Sequence, residues 1–144
     1  MPDPHMPDLM DIYPVAEKAP EKIRTPTGKP LSALTVEAVL AGEITPQDIA
    51  ITPEALHLQA DVARAAGRHT LVHNFERAAD LVNVPQHVIL ETYELLRPGR
   101  APDARTLLAQ ADMLRREYGA AHVATMIEEA ASVYERRGLF QKRY

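Results

Sequence analysis

TPQDIAITPEALHLQADVARAAGRHTLVHNFERAADLVNVPQHVILETYELL, Thr45 to Leu96, is the stretch on which the reading of this chain turns. It opens with two Thr-Pro steps, Thr45-Pro46 and Thr52-Pro53. In each, a cap-capable hydroxyl precedes a ring already fixed near helical φ, the combination that suits N-cap and N1. Behind Thr52 an Ala- and Leu-rich run extends to Gly67, which predicts a helix over 53–66. Leu56, Ala60 and Ala63 share one face of it. Leu58, Val62 and Ala65 widen the apolar surface, so the helix is expected to meet neighbours on two sides. A second helix is predicted over 70–81, with Phe75, Ala78, Ala79 and Val82 at core spacing. Pro85 opens a third that buries Val88, Ile89, Thr92, Leu95 and Leu96 and stops at Arg97-Pro98-Gly99.

Outward from this stretch the pattern stays helical on the C-terminal side. Leu107, Ala111, Leu114 and Tyr118 fall at i, i+4, i+7 and i+11. Val123, Ile127, Ala130 and Tyr134 repeat the spacing beyond Gly119, which predicts an antiparallel helical hairpin with Arg105, Asp112 and Arg116 in solvent. Gly138 ends the last helix, and the tail Leu139-Phe140-Gln141-Lys142-Arg143-Tyr144 carries two aromatics that either dock on a partner or fray. On the N-terminal side, the stretch Leu31–Ile44 holds a helix capped by Ser32 or Thr35, with Val36, Val39 and Leu40 as its apolar side and Gly42 as its stop. Ile49-Ala50-Ile51 is a short extended link.

Residues 1–30 hold seven of the twelve prolines. That spacing excludes regular helix or central strand. The segment reads as a disordered leader or as an extended arm ordered only against a partner, with Tyr13-Pro14-Val15 and Ile23 as anchors. Thr27-Gly28-Lys29-Pro30 reads as a turn. The expected architecture is therefore all-α: a small bundle of short helices over 31–144 with an extended Pro-rich N-terminal arm over 1–30.

Composition narrows the function classes. The 144 residues contain no cysteine, which removes disulfides, thiolate nucleophiles and Cys-based zinc sites. The formal net charge is -4, and no basic patch offers itself to nucleic acid. No apolar run approaches the roughly 20 residues that cross a bilayer, and no signal-peptide pattern is visible. A cytoplasmic location is expected.

Among candidate chemical groups, His69, His73, Glu76 and Asp80 fall in a narrow arc at i, i+4, i+7 and i+11, a ligand-like spacing for zinc. The arc lies nearly opposite Phe75, Ala78 and Val82 and lacks the zincin Glu, so it reads as a solvent face that binds no metal. His57 reads as a helix surface or interface residue, His5 lies in the leader, and His87 and His122 stand at helix starts. Glu91 and Glu94 flank Tyr93, but Glu94 is set to pair with Arg97. Glu128 and Glu129 are adjacent and point to different sides. Ser32 and Ser132 lack a nucleophile elbow, and no Rossmann or Walker A glycine pattern occurs. These features favour an interaction module or non-catalytic subunit, with a free-standing helical adaptor as the alternative.

Seven stretches in order carry a family resemblance: YPVA (Tyr13–Ala16), TPTGKPL (Thr25–Leu31), LTVEAVLAGEITPQDIAITPEAL (Leu34–Leu56), LQADVARAAGR (Leu58–Arg68), NFERAADL (Asn74–Leu81), VP followed by ILETYELLRP ending at Pro98, and EEAASVYERRG (Glu128–Gly138). Together they resemble the small (gamma) subunit of adenosylcobalamin-dependent diol and glycerol dehydratases, over Tyr13 to about Leu139. The resemblance implies a non-catalytic helical subunit in a dimer of heterotrimers. Its partners would be a large (alpha) TIM-barrel subunit, holding substrate and a cation, and a medium (beta) subunit. Adenosylcobalamin would be held by those two subunits and not by this chain. The implied reaction is radical dehydration of propane-1,2-diol to propanal or of glycerol to 3-hydroxypropanal. No catalytic, cofactor-binding or metal-binding residue is carried onto this chain. Ala50, His57, Thr92 and Glu94 depart from the family's usual residues, so no particular salt bridge to the large subunit is implied there. Some members have a longer N-terminal extension linked to microcompartment packaging. Here a dozen Pro-rich residues precede Tyr13, and packaging through this chain is not expected.

Overall fold

The computed structural model of the chain describes residues 8–140. His5 and the last four tail residues, Tyr144 among them, lie outside that range. The described residues are helical, with no strand and a single isolated antiparallel bridge between Arg24 and Pro30. Seven α-helices follow in order: α1 (Val15–Lys18), α2 (Val36–Leu40), α3 (Pro53–Ala65), α4 (His69–Leu81), α5 (Gln86–Leu96), α6 (Ala104–Tyr118) and α7 (Ala121–Arg137). Three short 3-10 turns lie between the early ones, at Pro20–Lys22, Leu31–Ala33 and Pro46–Ile49. The chain divides into two compact units, residues 1–79 and 80–144.

In the first unit α3 is the central element. Thr52 Oγ1 accepts from Ala55 N at 3.1 Å, Pro53 occupies N1, and Gly67 leaves the helix at φ 71°. The left-handed turn at Gly67 brings Arg68 N to Ala63 O at 2.9 Å, closing the helix on itself. Two faces of α3 are buried, as its pattern predicts. Ala60 and Ala63 meet Val72 and Phe75 of α4, while Val62 meets Val15 and Ala19. Ala65 is exposed, so the second face rests on Val62 and Leu58 alone.

The proline-rich segment departs from the expected extended arm. It forms a helical turn at Val15–Lys18 and a 3-10 turn at Pro20–Lys22. Pro14 and Pro20 sit at the N-cap and the first position, where a missing N–H leaves no hydrogen bond unmade. Val15 and Ala19 are both 2% exposed, with Ile12 and Ile23 packed beside them. Val15 and Ile23 therefore anchor the segment to this chain's own α3, and of the expected partner anchors Tyr13 and Pro14 stay exposed.

Leu31–Ile44 holds the helix predicted within it, as α2, with Gly42 following at φ 74°. A 3-10 turn at Leu31–Ala33 precedes α2, and Thr35 rather than Ser32 caps it, accepting from Ala38 N at 3.1 Å. Its apolar side chains do not face a core: Val36, Val39 and Leu40 are exposed.

The second unit is built on the α6–α7 hairpin. Asp103 caps α6, accepting from Thr106 N at 2.8 Å, and Gly119 turns the chain at φ 65°. Leu107, Ala111, Leu114 and Ile127 are no more than 1% exposed, with Val123, Ala124 and Ala131 beside them. The buried stripe on α7 includes Ala131, while Ala130 and Tyr134 are half-buried. Arg115 clasps Glu128 across the hairpin with two hydrogen bonds, at 2.7 and 3.0 Å. α5 buries Val88 and Thr92, while Ile89, Leu95 and Leu96 are half-buried. Thr92 is a polar member of this core and is fully used. Its hydroxyl donates to Val88 O at 2.8 Å and accepts from the buried Gln110 Nε2 at 2.8 Å.

Leu139 and Phe140, the last of the described residues, are docked on the second unit. Phe140 packs edge-on against Tyr134 with ring centres 6.0 Å apart, and Leu139 O accepts from Gly99 N at 2.8 Å. Tyr134 OH donates to Leu96 O. Half-burial of Phe140 on this chain removes it from the expected pair of exposed aromatics.

Candidate functional site

The polar arc on α4 does not behave as a plain solvent face. Glu76 is engaged by Arg64 Nη2 at 2.7 Å and lies 3.5 Å from His73 Nδ1. Asp80, its side chain 9% exposed, serves the start of α7. The residue at the N-cap position there is Ala120, which has no side-chain acceptor. Asp80 Oδ2 takes that role from a distance of 42 residues and more, accepting from His122 N at 2.7 Å and Val123 N at 3.0 Å. Its other oxygen lies 3.2 Å from His122 Nδ1. A carboxylate here satisfies two of the orphan donors of α7 and complements the positive end of the helix dipole. Replacing Asp80 with alanine is expected to cost about 0.5–2 kcal/mol of stability, as lost N-caps do. Asp80→Asn, which keeps an acceptor oxygen, is expected to cost less. Urea unfolding followed by circular dichroism measures both.

Among the described residues no group of three His, Asp or Glu side chains is placed to hold a metal ion. His57, His69, His73 and His87 lie exposed on helix surfaces. Glu94 pairs with Arg97 at 3.1 Å, as its spacing predicts, and also with Arg100 at 3.2 Å. Glu128 faces Arg115 while Glu129 is exposed, and Ser32 and Ser132 are exposed.

The most constructed polar site of the chain is one that the spacing of histidines and glutamates does not reveal. It centres on Asp48, a carboxylate 2% exposed at the 3-10 turn after Thr45. Asp48 Oδ2 accepts from Thr45 N at 2.8 Å, Thr45 Oγ1 at 3.1 Å and Lys29 Nζ at 3.0 Å. Asp48 Oδ1 accepts from Thr27 Oγ1. The Thr25–Lys29 turn presents these donors. Gly28 supplies its positive φ of 88°, and Thr25 Oγ1, buried, accepts from Lys29 N at 2.9 Å. Lys29 Nζ also reaches Glu43 O at 2.6 Å. One carboxylate thereby joins residues 25–29, 43 and 45–48.

Hydrogen bonds from Thr27, Thr45 and Lys29, in that order of weight, hold the Asp48 carboxyl far below the ordinary carboxylate range. An acid so stabilised as its anion, with both oxygens committed, is a poor proton acceptor in catalysis. Its role is to fix the backbone. The signal for it was present as Thr45-x-x-Asp48, a capping-box pattern, and as TPTGKPL, but the link between the two lies in tertiary structure.

Two apolar surfaces complete the candidates. One recess, of about 230 Å³, is lined by Met10, Tyr13, Val62, Leu71 and Phe75 among others. A second, of about 310 Å³, has Ile23, Leu31, Leu34, Ile49 and Ile51 in its walls and Asp48 at its edge. Neither has histidine in its lining.

The arrangement is thus one of caps, ion pairs and exposed aliphatic faces, and comparison with known proteins agrees with it. The profile of the family described as "Dehydratase small subunit" matches residues 9–141. A propanediol dehydratase small subunit of Citrobacter freundii is 48% identical over 125 residues, covering 87% of this chain and 72% of that protein. One of Salmonella typhimurium is 49% identical over 125 residues with the same shares. With a profile that spans nearly all of its residues and relatives close to half identical, the chain belongs to the dehydratase small-subunit family.

Proposed function

We propose that this chain is the small structural subunit of a diol- or glycerol-dehydrating enzyme complex. Identity near one half to two propanediol dehydratase small subunits is the observation that carries the reading. The geometry supports it, because the most elaborate polar site is a backbone brace and the described histidines are surface groups or, at His122, engaged with Asp80. The partners in this reading are a large and a medium subunit, which hold the substrate, the cation and the adenosylcobalamin. When bound there, the cofactor supplies the radical that opens dehydration of propane-1,2-diol or glycerol to the aldehyde. This chain's residues bind and shape the partner surface and take no part in the chemical step.

Co-expression of the chain with large and medium subunits tests the reading. Co-purification of all three, with diol-dependent aldehyde formation by the assembly and none by this chain alone, is the expected result. Aldehyde formation by the isolated chain overturns the non-catalytic role. Failure of the wild-type chain to associate with the large subunit overturns the subunit role and favours a free-standing adaptor.

A further inference from the structure

The recess of about 230 Å³ lies wholly within the first unit, and three pieces of chain wall it. Met10 and Tyr13 come from the N-terminal segment. Gln59, Val62 and Ala66 stand at i, i+3 and i+7 along α3, and Arg68, Leu71 and Phe75 repeat that spacing into α4, so each helix gives one stripe to the site. The lining is buried at Val62 and Ala63 and open at Met10, Tyr13 and Leu71, which are 42%, 51% and 37% exposed. Its charge is unbalanced: Arg68 is present, and no aspartate or glutamate faces it in the lining. The Arg68 side chain has no hydrogen bond or ion pair among the described residues. Arg64, one turn earlier, holds Asp61 at 2.5 Å and Glu76 at 2.7 Å, so those two carboxylates are already engaged.

We infer that this recess binds a small aromatic monocarboxylate, with its ring among Met10, Tyr13 and Phe75 and its carboxylate on Arg68. The inference does not depend on the proposed function. A guanidinium takes a carboxylate through two parallel N–H bonds, and the Gln59 amide and Tyr13 hydroxyl are further donors in the same lining. One cation in an otherwise apolar recess matches one negative charge. A phosphate dianion there loses more hydration than a single cation restores, and an occupant that is apolar throughout leaves Arg68 unanswered. Size agrees: an apolar cavity of about 150 Å³ takes benzene, so this recess admits a ring with a short arm. Thioether and aromatic walls favour an aromatic body over an aliphatic one.

The experiment titrates the isotope-labelled full chain with phenylacetate and with its uncharged isostere phenylacetamide, followed by two-dimensional NMR. The expected result is saturable shifts at residues 10–13 and 59–75, with phenylacetamide roughly tenfold weaker. That comparison is made on the wild-type chain and needs no variant to fold. Arg68→Gln is expected to bring phenylacetate down to the level of the amide. Ala66→Leu, which places a larger side chain at an exposed lining position, is expected to abolish binding of both with helical circular dichroism unchanged. Arg105→Gln, exposed on α6 and outside the recess, is expected to change nothing. Equal affinity for the two probes, wild-type affinity in Arg68→Gln, shifts that map elsewhere, or no saturation overturns the inference. Shifts at the same residues on raising the protein concentration without probe assign the recess to a second copy. Expulsion of the probe when large and medium subunits are added assigns it to a partner chain, and either result also overturns the inference.

Discussion

Replacing Leu107 with alanine is expected to lower unfolding stability by about 2–5 kcal/mol, the range of buried Leu-to-Ala truncations. Leu107 is fully buried, in a core cluster rich in alanine, with Ala111, Ala120, Ala124 and Ala131 among its members. Alanines cannot swing into a vacated space, and the backbones they bring close are already in contact. The cavity should therefore stay open, which places the cost toward the upper end of that range. Ile127→Ala should behave in the same way, whereas Leu107→Met, which conserves volume, should cost under about 1.5 kcal/mol. Urea denaturation followed at 222 nm distinguishes the three. A Leu107→Ala midpoint near that of wild type shows the hairpin core to be looser than its packing implies.

Replacing Asp48 with alanine is expected to lower the melting temperature on the order of 10 °C, because several charged or buried donors lose their acceptor at once. Thr45 N–H, the Thr27 hydroxyl and the Lys29 ammonium all point at this carboxylate. The pH dependence has a definite sign. The folded-state carboxyl titrates far below its ordinary value of 3.8, so between the two values the unfolded chain binds the extra proton. Its contribution is therefore present in full above about pH 4 and is lost as pH falls further toward the folded-state value. Asp103, lowered by its bonds from Thr106, and Glu128, lowered by Arg115, act in the same acid window. Asp48→Asn should accordingly flatten, without abolishing, the fall of stability between pH 4 and pH 2. An acid unfolding profile with the wild-type slope in this variant removes Asp48 from the account.

The contrast between these two sites shows what local sequence carries. The hairpin was legible because Leu107, Ala111, Leu114 and Val123, Ile127 declare a helical period within single turns, and α3 because Thr52, Pro53 and Gly67 mark its ends. The family was legible from ordered segments. The 14–23 segment was misread because proline frequency says where a helix cannot continue, not where one can start. Pro14 and Pro20 occupy the starting positions. α2 was legible in its cap Thr35 and its stop Gly42. Its apolar spacing identifies a face but not what covers it, and Val36, Val39 and Leu40 meet water in this chain. Asp48 and Asp80 were not legible as sites because the donors that make them more than local caps, Thr27 and Lys29 for Asp48 and His122 and Val123 for Asp80, lie 19 to 43 residues away in sequence.

That last separation has a kinetic side. The α6–α7 hairpin closes over a two-residue turn and needs only local contacts, which form early in folding. The cap that Asp80 gives to His122 and Val123 bridges more than 40 residues and pays its loop-closure entropy late. Removing it should leave the folding rate almost unchanged and appear in the unfolding limb of the chevron, as faster opening of the N-terminal turn of α7. Asp80 then acts as a latch on a hairpin already formed, setting how long the native state lasts rather than how quickly it is reached.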